Sequence, residues 1–321
     1  MVPAACVCSK RRLIALRVMR ASLKIAGSST AQNQEADLFA GTTRALKKTI
    51  KKQLKVLRHR YTRTFHSFTP DELSRELRLL GLDRGDAVLV HSSFDAFGGF
   101  TGKPTDVIEA LQGAIGPDGA LLMPTLPFTG TAVEYVRNAA AFDVARTPSR
   151  MGLISELFRR MPGVVRSVHP THPVAVWGRE SETIVRGHHQ AETPCGKGTP
   201  FSGLLDRSGK ILLLGADITS LTFYHMIEEA IEARLPVSPF TQQRFVLTSK
   251  QGDGSVLRTD TRLFEPSVSR RRNLLKLVPE LKRLGAWRQR RIGSLTMTLL
   301  NAKDVYSAVL DLLDRGIYCY D

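Results

Sequence analysis

The sequence predicts an α/β fold in which a mostly parallel mixed sheet is flanked by helices. Short apolar runs typical of strands buried on both faces alternate along the chain with segments whose apolar residues recur at helical spacing. With 321 residues, 42% of them hydrophobic, the chain can bury one large core. We therefore expect a single α/β domain over residues 66–321, preceded by a basic extension over residues 1–65.

The extension carries most of the positive charge. It holds 15 Lys and Arg residues against Glu35 and Asp37, a net charge of +13, so the remaining 256 residues carry only +3. Residues 1–26 contain no acidic residue and no apolar segment followed by a small-residue cleavage site, which argues against a secretory signal. Three interpretations stay open for these residues: an organellar transit peptide, a disordered segment, or a start codon assigned upstream of Met19.

Residues 44–60 of the extension are predicted to form a basic amphipathic helix. Leucine and isoleucine recur there at helical spacing, while five lysines cover the other face. Such a helix either contacts an anionic membrane surface or RNA through its charge, or is a solvated helix packed on the domain or on a partner subunit. The second interpretation is the more common one, and the sequence leaves a homodimer open.

Composition restricts the setting of the protein. The four cysteines make neither a CxxC metal pair nor a secreted disulfide framework. No apolar run approaches the roughly 20 residues that a transmembrane helix needs. We therefore expect a cytoplasmic protein without a membrane span.

The domain begins with a helix and a buried strand. Thr69–Glu72 is a capping box with proline at the first helical position, and leucines follow on one helical face. The chain then turns into an apolar strand over residues 87–90, which ends at His91-Ser92-Ser93. A second helix and a strand over residues 120–123 repeat the pattern, which favours parallel pairing.

A later strand leads into a helix that carries two chemically active side chains. The strand, over residues 211–215, is continuously apolar up to its closing glycine, and Thr219 or Ser220 can cap the helix that follows. That helix holds His225 and Glu228, whose i, i+3 spacing puts the imidazole and the carboxylate on one face. Because open α/β sheets bind ligands at the carboxyl ends of their strands, this arrangement indicates a functional site.

Several short motifs follow one another in a fixed order. They are Val88-Leu-Val-His91-Ser-Ser93, Gly116-Pro-Asp-Gly119, Leu122-Met-Pro-Thr125, Phe142-Asp143, Met151-Gly152, Arg159, Pro162-Gly163, Arg166-Ser167, His169-Pro170, Leu212-Leu-Leu-Gly215, and Thr222 with His225 and Glu228. As a set, though not singly, they resemble the aminoglycoside 3-N-acetyltransferases. The resemblance runs from about Leu73 to at least Glu229, and more loosely through Arg291-Ile-Gly-Ser294 to the end of the sequence.

The resemblance implies a single catalytic domain of this family's type, which moves an acetyl group from acetyl-CoA to a primary amine of an aminoglycoside antibiotic. The family's catalytic histidine lies in a Thr-x-x-His-x-x-Glu segment, here Thr222, His225 and Glu228. The chemistry agrees, because acylating an amine requires removal of a proton and histidine titrates near neutral pH. His225 is the candidate general base, and Glu228 either orients its ring or holds the substrate ammonium.

Structural interpretations of His225 and Glu228 compete with the catalytic one. A lone HxxE pattern is more often a core or capping histidine beside a solvated glutamate. The same spacing occurs in di-iron helical bundles, but these require a second such pair and further glutamates on other helices. The surrounding set of motifs favours catalysis.

The resemblance also implies where acetyl-CoA binds. His91, Ser92 and Ser93 follow the first strand, where free backbone N–H groups can contact the pantetheine chain or the thioester carbonyl. Thr199 and Pro200 lie in a loop similar to the family's Gly-x-x-Ser-Pro loop, and we expect them beside CoA as well. Direct transfer is favoured over a serine acyl-enzyme, because the sequence lacks a Gly-x-Ser-x-Gly elbow.

Contacts to the amine acceptor are expected from Asp143, His169, Thr222 and Glu229. Carboxylates suit polycationic aminoglycosides, which present several ammonium groups at once. Further candidates are Glu134, Glu228 and Glu232. We expect no metal, because no motif supplies a third ligand to His169 and His172.

Other functions remain open. The domain's net charge of +3 does not indicate a strongly acidic cleft, so an amino sugar of a polysaccharide or natural-product precursor is an alternative acceptor. A third class is a non-catalytic protein that binds CoA, or RNA through its extension. The presence of His225 and Glu228 argues against the first of these. The low aromatic content, 7%, argues against an RNA-binding domain.

Overall fold

The computed structural model describes residues 66–138 and 141–321. The basic extension over residues 1–65, with its predicted helix at residues 44–60, lies outside the described residues. The chain divides into two units, Met1–Arg60 and Tyr61–Asp321. All that follows concerns the second unit.

Helices and strands alternate along most of this unit. The helices are α1 (Pro70–Leu80), α2 (Pro104–Ile115), α3 (Ala132–Asn138), α4 (Leu153–Phe158), α5 (Ser181–Val185), α6 (Pro200–Asp206), α7 (Phe223–Ala230), α8 (Pro266–Ser269), α9 (Leu277–Arg283) and α10 (Ala302–Asp314). The strands are β1 (Ala87–Ser92), β2 (Ala120–Pro124), β3 (Phe142–Asp143), β4 (Val164–Arg166), β5 (Val174–Gly178), β6 (Lys210–Leu214), β7 (Phe240–Lys250), β8 (Val256–Phe264), β9 (Arg288–Ile292) and β10 (Leu295–Asn301). No helix among the described residues is long and apolar enough to cross a membrane.

Seven strands form the main sheet, in the order β4-β5-β2-β1-β6-β10-β9. β1 pairs in parallel with β2 and β6, whereas the outer pairs are antiparallel. The predicted mixed α/β sheet is confirmed, but parallel pairing is limited to the three central strands and is less extensive than predicted. For two of the four antiparallel pairs the reason is local, because β4 and β5, like β9 and β10, are joined by short connections, which favour antiparallel neighbours.

Helices cover both faces of this sheet, and β6 shows why its sequence is continuously apolar. Leu212 and Leu214 point to a core shared with α1, α2 and α4, while Ile211 and Leu213 point to a core shared with α6, α7, α9 and α10. All four side chains are buried. A strand between two cores needs apolar residues at every position, as the sequence analysis assumed.

The predicted capping box at the start of α1 is present. The Glu72 N–H donates to the Thr69 hydroxyl over 3.2 Å, and the Thr69 N–H donates to the Glu72 carboxylate over 2.8 Å. Gly81, with a φ of 103°, ends the helix. Both ends of α1 therefore follow from local sequence.

A second, three-stranded sheet in the order β3-β7-β8 was not predicted. Its main part is the β7–β8 hairpin, whose turn contains Asp253-Gly254, a hairpin signal that the sequence analysis did not use. The hairpin brings Phe240 and Phe264 together, with ring centroids 4.9 Å apart. This sheet thereby delivers Phe264 to the neighbourhood of α7.

Gly178 is a position where the sheet requires glycine. Its φ is 101°, and a Cβ atom there would collide with the Gly119 carbonyl oxygen. Gly254 has a similar φ of 88° but open space around it. We expect Gly178→Ala to lower the free energy of unfolding by at least roughly 1 kcal/mol more than Gly254→Ala, because only the first adds a steric clash to the backbone strain. Chemical denaturation of both variants measures the difference, and equal losses would contradict the clash.

Candidate active site

The candidate active site is centred on α7, which β6 and a short turn position. Gly215, with a φ of 69°, leads into a 3-10 turn capped by Asp217, whose carboxylate accepts the Thr219 N–H over 2.9 Å. Thr222 precedes α7 and makes no side-chain capping bond. The prediction that Thr219 or Ser220 caps this helix is therefore wrong, because the cap belongs to the turn before it.

His225 and Glu228 face each other on α7, one turn apart. Nδ1 of His225 lies 2.9 Å from Oε2 of Glu228. Since an ionised carboxylate only accepts hydrogen bonds, Nδ1 carries the proton and Nε2 carries the lone pair. No hydrogen bond among the described residues engages Nε2, and the His225 side chain is 20% exposed. Glu228 thus orients the ring and leaves its basic nitrogen free.

Three side chains bind the Glu228 carboxylate, which is completely buried. Besides His225, Arg272 donates from Nε to Oε1 over 2.7 Å, and the Tyr320 hydroxyl donates to the same oxygen. Burial alone would raise the pKa of Glu228, but the hydrogen bonds of His225 and Arg272 and the positive charge of Arg272 lower it. Glu228 is therefore an anion at neutral pH.

Arg272 and Tyr320 lie outside every motif selected from the sequence. They lie 44 and 92 residues from Glu228 along the chain, and no spacing rule connects them to it. Arg272 follows two other arginines, which gave no reason to select it. The sequence gives only a general reason to expect such partners: a buried carboxylate requires several hydrogen-bond donors.

Aromatic rings surround His225. The Phe264 ring centroid lies 4.5 Å from that of His225, and the His172 ring lies 6.2 Å away at nearly a right angle. Burial and the charge of Arg272 lower the pKa of His225, and Glu228 offsets this only in part. The imidazole is therefore neutral at pH 7, which is the form a general base requires.

Four further histidines are buried near the site. Burial lowers the pKa of His91 and of His188 to about 4, and it lowers the pKa values of His169 and His172 well below the ordinary histidine range. His91 is close enough to His225 to interact electrostatically, and its buried Nε2 has no hydrogen-bond partner. His91 therefore offers an unused polar atom in this region.

His169 and His172 belong to the segment before β5. Nδ1 of His169 accepts the N–H groups of Thr171 over 3.3 Å and His172 over 3.1 Å, and its ring stacks on His188 at 4.7 Å. His169, expected to contact substrate, is fully buried and shapes this segment, whereas His172 is the one that reaches His225. Within the described ranges, no group of three or more His, Cys, Asp or Glu side chains could hold a metal ion.

The residues expected at the acetyl-CoA site lie at the end of β1 and the start of α6, but the backbone N–H of one of them is already bound. His91 and Ser92 end β1, but the Ser93 N–H donates to the carbonyl of the last β6 residue over 3.1 Å. The Ser93 N–H is therefore engaged, because β1 and β6 remain paired to their ends, and a contact of Ser93 with acetyl-CoA stays a prediction. Thr199 and Pro200 begin α6, which packs against both β1 and α7.

Two cavities lie near these elements. One, of about 370 Å³, lies at the carboxyl end of β6 and is lined by residues that include Ala96, Gly215, Ile218, Leu275 and Thr296. The other, of about 720 Å³, is lined by residues that include Val133, Arg137, Phe240, Thr241, Gln243 and Arg270. Phe240 lines the larger cavity and stacks on Phe264, which contacts His225, so two aromatic rings separate this cavity from His225.

The carboxylates expected to hold the acceptor are engaged by neighbouring groups. Asp143 accepts the N–H groups of residues 145 and 146, at 3.0 and 2.8 Å. Glu229 accepts a threonine hydroxyl from the loop before α6, and burial raises its pKa. Glu134 accepts the N–H of the residue three positions before it, and Glu232 forms a bidentate pair with Arg262 at 3.0 and 3.1 Å. Glu232 is thus paired with a cation, whereas the hydrogen bonds of the other three come from uncharged donors.

Comparison with known proteins identifies the family. The sequence profile described as aminoglycoside 3-N-acetyltransferase matches residues 89–314, and the chain belongs to this family. A relative in Bacillus subtilis (strain 168), the SPbeta prophage-derived aminoglycoside N(3')-acetyltransferase-like protein YokD, is 33% identical over 179 residues. That match covers 51% of this chain and 65% of the relative, so it spans just under two thirds of the relative's length.

Solved structures share the fold. The AAC-IIIb binary complex with CoASH superposes with a TM-score of 0.66 at 23% identity, covering 79% of this chain and 99% of that one. A histidine-to-alanine variant of aminoglycoside acetyltransferase AAC(3)-IVa, in complex with a gentamicin, gives a TM-score of 0.64 at 27% identity and covers 78% and 90% of the two chains. The α/β fold with its mixed seven-stranded sheet is thus the fold of this family.

The buried neutral histidines predict acid sensitivity. The pKa of His91 and of His188 falls from the ordinary histidine value of 6.5 to about 4 on folding, so between these values the unfolded chain binds protons that the folded chain does not. The free energy of unfolding should therefore fall as pH decreases from 6.5 towards 4, by roughly 1.4 kcal/mol per pH unit for each such histidine. Denaturation curves across this pH range measure the slope.

The contribution of one histidine can be separated from the rest. His188→Gln should make the slope shallower, and His189→Gln is the matched substitution at the adjacent half-buried position. Equal slopes in the wild type and the His188 variant would contradict a neutral buried His188.

Proposed function

We propose that this protein transfers an acetyl group from acetyl-CoA to a primary amine of an aminoglycoside or a related amino sugar. The observation that carries the proposal is the His225–Glu228 pair, in which a neutral imidazole has a fixed Nδ1 and a free Nε2. The family and the complexes of its relatives with CoASH and with a gentamicin support both substrates.

His225 acts as the general base in this reaction. Its Nε2 accepts a proton from the amine nitrogen, either before attack, when the amine is an ammonium ion, or after attack, from the tetrahedral adduct. Glu228 stabilises the imidazolium that results. The amine nitrogen forms a bond to the thioester carbonyl carbon, the carbon–sulfur bond breaks, and CoA leaves as a thiol after taking up a proton. Direct transfer of this kind requires no serine nucleophile.

Acetyl-CoA is assigned to the region between the carboxyl ends of β1 and β6 and the start of α6. The supporting observations are the cavity of about 370 Å³ at the end of β6, the unpartnered Nε2 of His91, and the packing of α6 against β1. His91, Ser92, Thr199 and Pro200 are the proposed contacts. The acceptor is assigned to the larger cavity beside Phe240, and Thr222 and Glu229, which lie on or next to α7, remain proposed acceptor contacts.

Replacing the general base should affect turnover far more than cofactor binding. We expect His225→Ala to lower kcat by roughly 10²–10⁴-fold with little change in affinity for acetyl-CoA. Glu228→Gln should cost less if Glu228 only orients the ring. Thiol release from acetyl-CoA measures kcat, and calorimetry measures acetyl-CoA affinity.

His189→Ala is the matched control, because His189 does not belong to the site and should keep wild-type turnover. His169→Ala tests the neighbouring motif, and its first effect should be on folding because His169 is fully buried. If the folded His225→Ala protein keeps more than about a tenth of wild-type turnover, His225 is not the base.

A less charged acceptor is the second candidate, and one observation favours it. Of the four carboxylates expected to hold the acceptor, Glu232 is paired with Arg262, which balances its charge, whereas Asp143, Glu134 and Glu229 accept hydrogen bonds from uncharged donors. Among the described residues, the charged side chains that line the larger cavity are Arg137, Arg270 and Glu265, so this lining carries no excess of negative charge. An amino sugar with a single amine fits this distribution of charge better than a polycation does.

The preferred acceptor can be found by comparing amines of different charge. We expect kcat/KM for a single-amine sugar such as glucosamine to equal or exceed that for gentamicin and kanamycin, with little change between low and high salt. Thiol release across this panel measures it. A strong preference for the polycations that weakens steeply with salt would show that carboxylates hold the acceptor, and would favour an antibiotic substrate.

The basic extension over residues 1–65 stays a separate proposal. We propose that it is not required for chemistry and that its net charge of +13 suits an anionic surface or RNA. The charge distribution supports the anionic partner. The extension is expected to be dispensable for chemistry because the domain that carries His225 begins after it.

A further inference from the structure

We propose that Arg272 and Tyr320 are positioning residues that act through Glu228 to keep His225 unprotonated and correctly oriented. The inference rests on the proposed function of His225 as the base. It assigns a role to two residues outside every motif that the sequence analysis selected.

The contacts to Glu228 carry this proposal. Oε2 of Glu228 accepts from His225, while Oε1 accepts from Arg272 Nε at 2.7 Å and from the Tyr320 hydroxyl. With one oxygen bound by two donors, the carboxylate cannot rotate without losing hydrogen bonds in a site that excludes water. The direction in which Nδ1 of His225 donates is thereby fixed, and with it the direction in which Nε2 points.

Arg272 and Tyr320 are themselves held together. They form an antiparallel bridge, and the flanking backbone bonds join Asn273 N–H to the Cys319 carbonyl and Asp321 N–H to the Arg271 carbonyl, both at 2.8 Å. The Arg272 guanidinium also lies over the Phe264 ring, 5.0 Å from its centroid. Phe264 packs against His225, so Arg272 is fixed relative to both members of the pair.

Charge gives Arg272 a second effect. The groups that act electrostatically on His225 are Glu228 on its own helix, Arg272, His172 before β5, and His91 at the end of β1. Both of these histidines are neutral near pH 7, because burial lowers the pKa of each far below that pH. Arg272 is thus the positive charge that opposes protonation of His225, while Glu228 favours it.

Further titratable groups near Glu228 can influence the charge of the His225–Glu228 pair. Besides its three hydrogen-bond donors, the titratable groups around it are Cys195, Tyr224 and Cys319. Burial raises the pKa of each of these, so they are uncharged near pH 7. Removing the Arg272 charge should therefore not be compensated by a nearby ionisation.

The pH dependence of kcat/KM tests the proposal. The acid limb reports protonation of the His225–Glu228 pair, and losing a cation makes the pair bind a proton more readily. We expect Arg272→Gln to move this limb to higher pH by roughly one to three units, and Tyr320→Phe to move it in the same direction by less than about one unit. At high pH, where the pair is deprotonated again, kcat/KM should reach a plateau that stays below the wild-type level in Arg272→Gln, because the lost hydrogen bond to Glu228 is not restored.

A variant that keeps the positive charge and two controls separate the effect of the Arg272 charge from general effects on folding. Arg272→Lys retains the cation, so its acid limb should stay near that of the wild type even if kcat falls through loss of the Nε geometry. Arg271→Gln and Tyr318→Phe are matched controls in the same two segments, and neither side chain binds Glu228. An acid limb that is unchanged in Arg272→Gln, or that moves equally in Arg272→Lys, would overturn the proposal.

A measurement without turnover distinguishes failure of this inference from failure of the proposed function. Imidazole NMR of the full chain titrates His225 directly, and its pKa should rise in Arg272→Gln relative to the wild type. If the wild type shows no thiol release with any amine, the proposed function fails, whereas the titration still tests Arg272. If the wild type is active and the pKa of His225 does not rise in Arg272→Gln, the positioning role fails alone.

Discussion

The burial of the Glu228 carboxylate is the constraint on which the rest of the site depends. An ionised group that loses its water must regain equivalent hydrogen bonds and opposite charge within the protein, or it takes up a proton. Three distant segments meet this requirement: α7 supplies His225, the segment before α9 supplies Arg272, and the segment after α10 supplies Tyr320. Packing across the whole domain is thereby coupled to the charge state of one side chain.

This coupling explains how a histidine beside a carboxylate can remain unprotonated. In an isolated ion pair, the carboxylate would stabilise the imidazolium and raise the histidine pKa. Here the anion is shared among His225, Arg272 and Tyr320, and Arg272 adds a repulsive charge, while burial disfavours the imidazolium further. The carboxylate can then orient the ring although the pKa of His225 stays below the ordinary histidine value.

Apart from the mixed sheet, which the alternation of helices and strands predicted, the features predicted correctly from sequence are those that local spacing determines. The capping box at Thr69 involves residues within one turn, and the shared face of His225 and Glu228 follows from helical geometry alone. The partners of Glu228, the pairing of β10 with β6 and the second sheet all depend on segments that meet only in the folded chain. The hydrogen bond of the Ser93 N–H could not be read from sequence for the same reason, since its acceptor lies on another strand.

On the proposed function, the environment of His225 also affects whether the acceptor amine is protonated. His91, His169, His172 and His188 are neutral, the Glu228 charge is compensated, and aromatic rings surround the imidazole. On the proposed function, an ammonium group entering such a site loses water and meets little free negative charge, both of which lower its pKa. Its proton then passes more readily to Nε2 of His225, so a base weaker than ordinary histidine is sufficient. Burial therefore lowers the basicity of the amine and of the histidine together, and the proton transfer between them stays feasible.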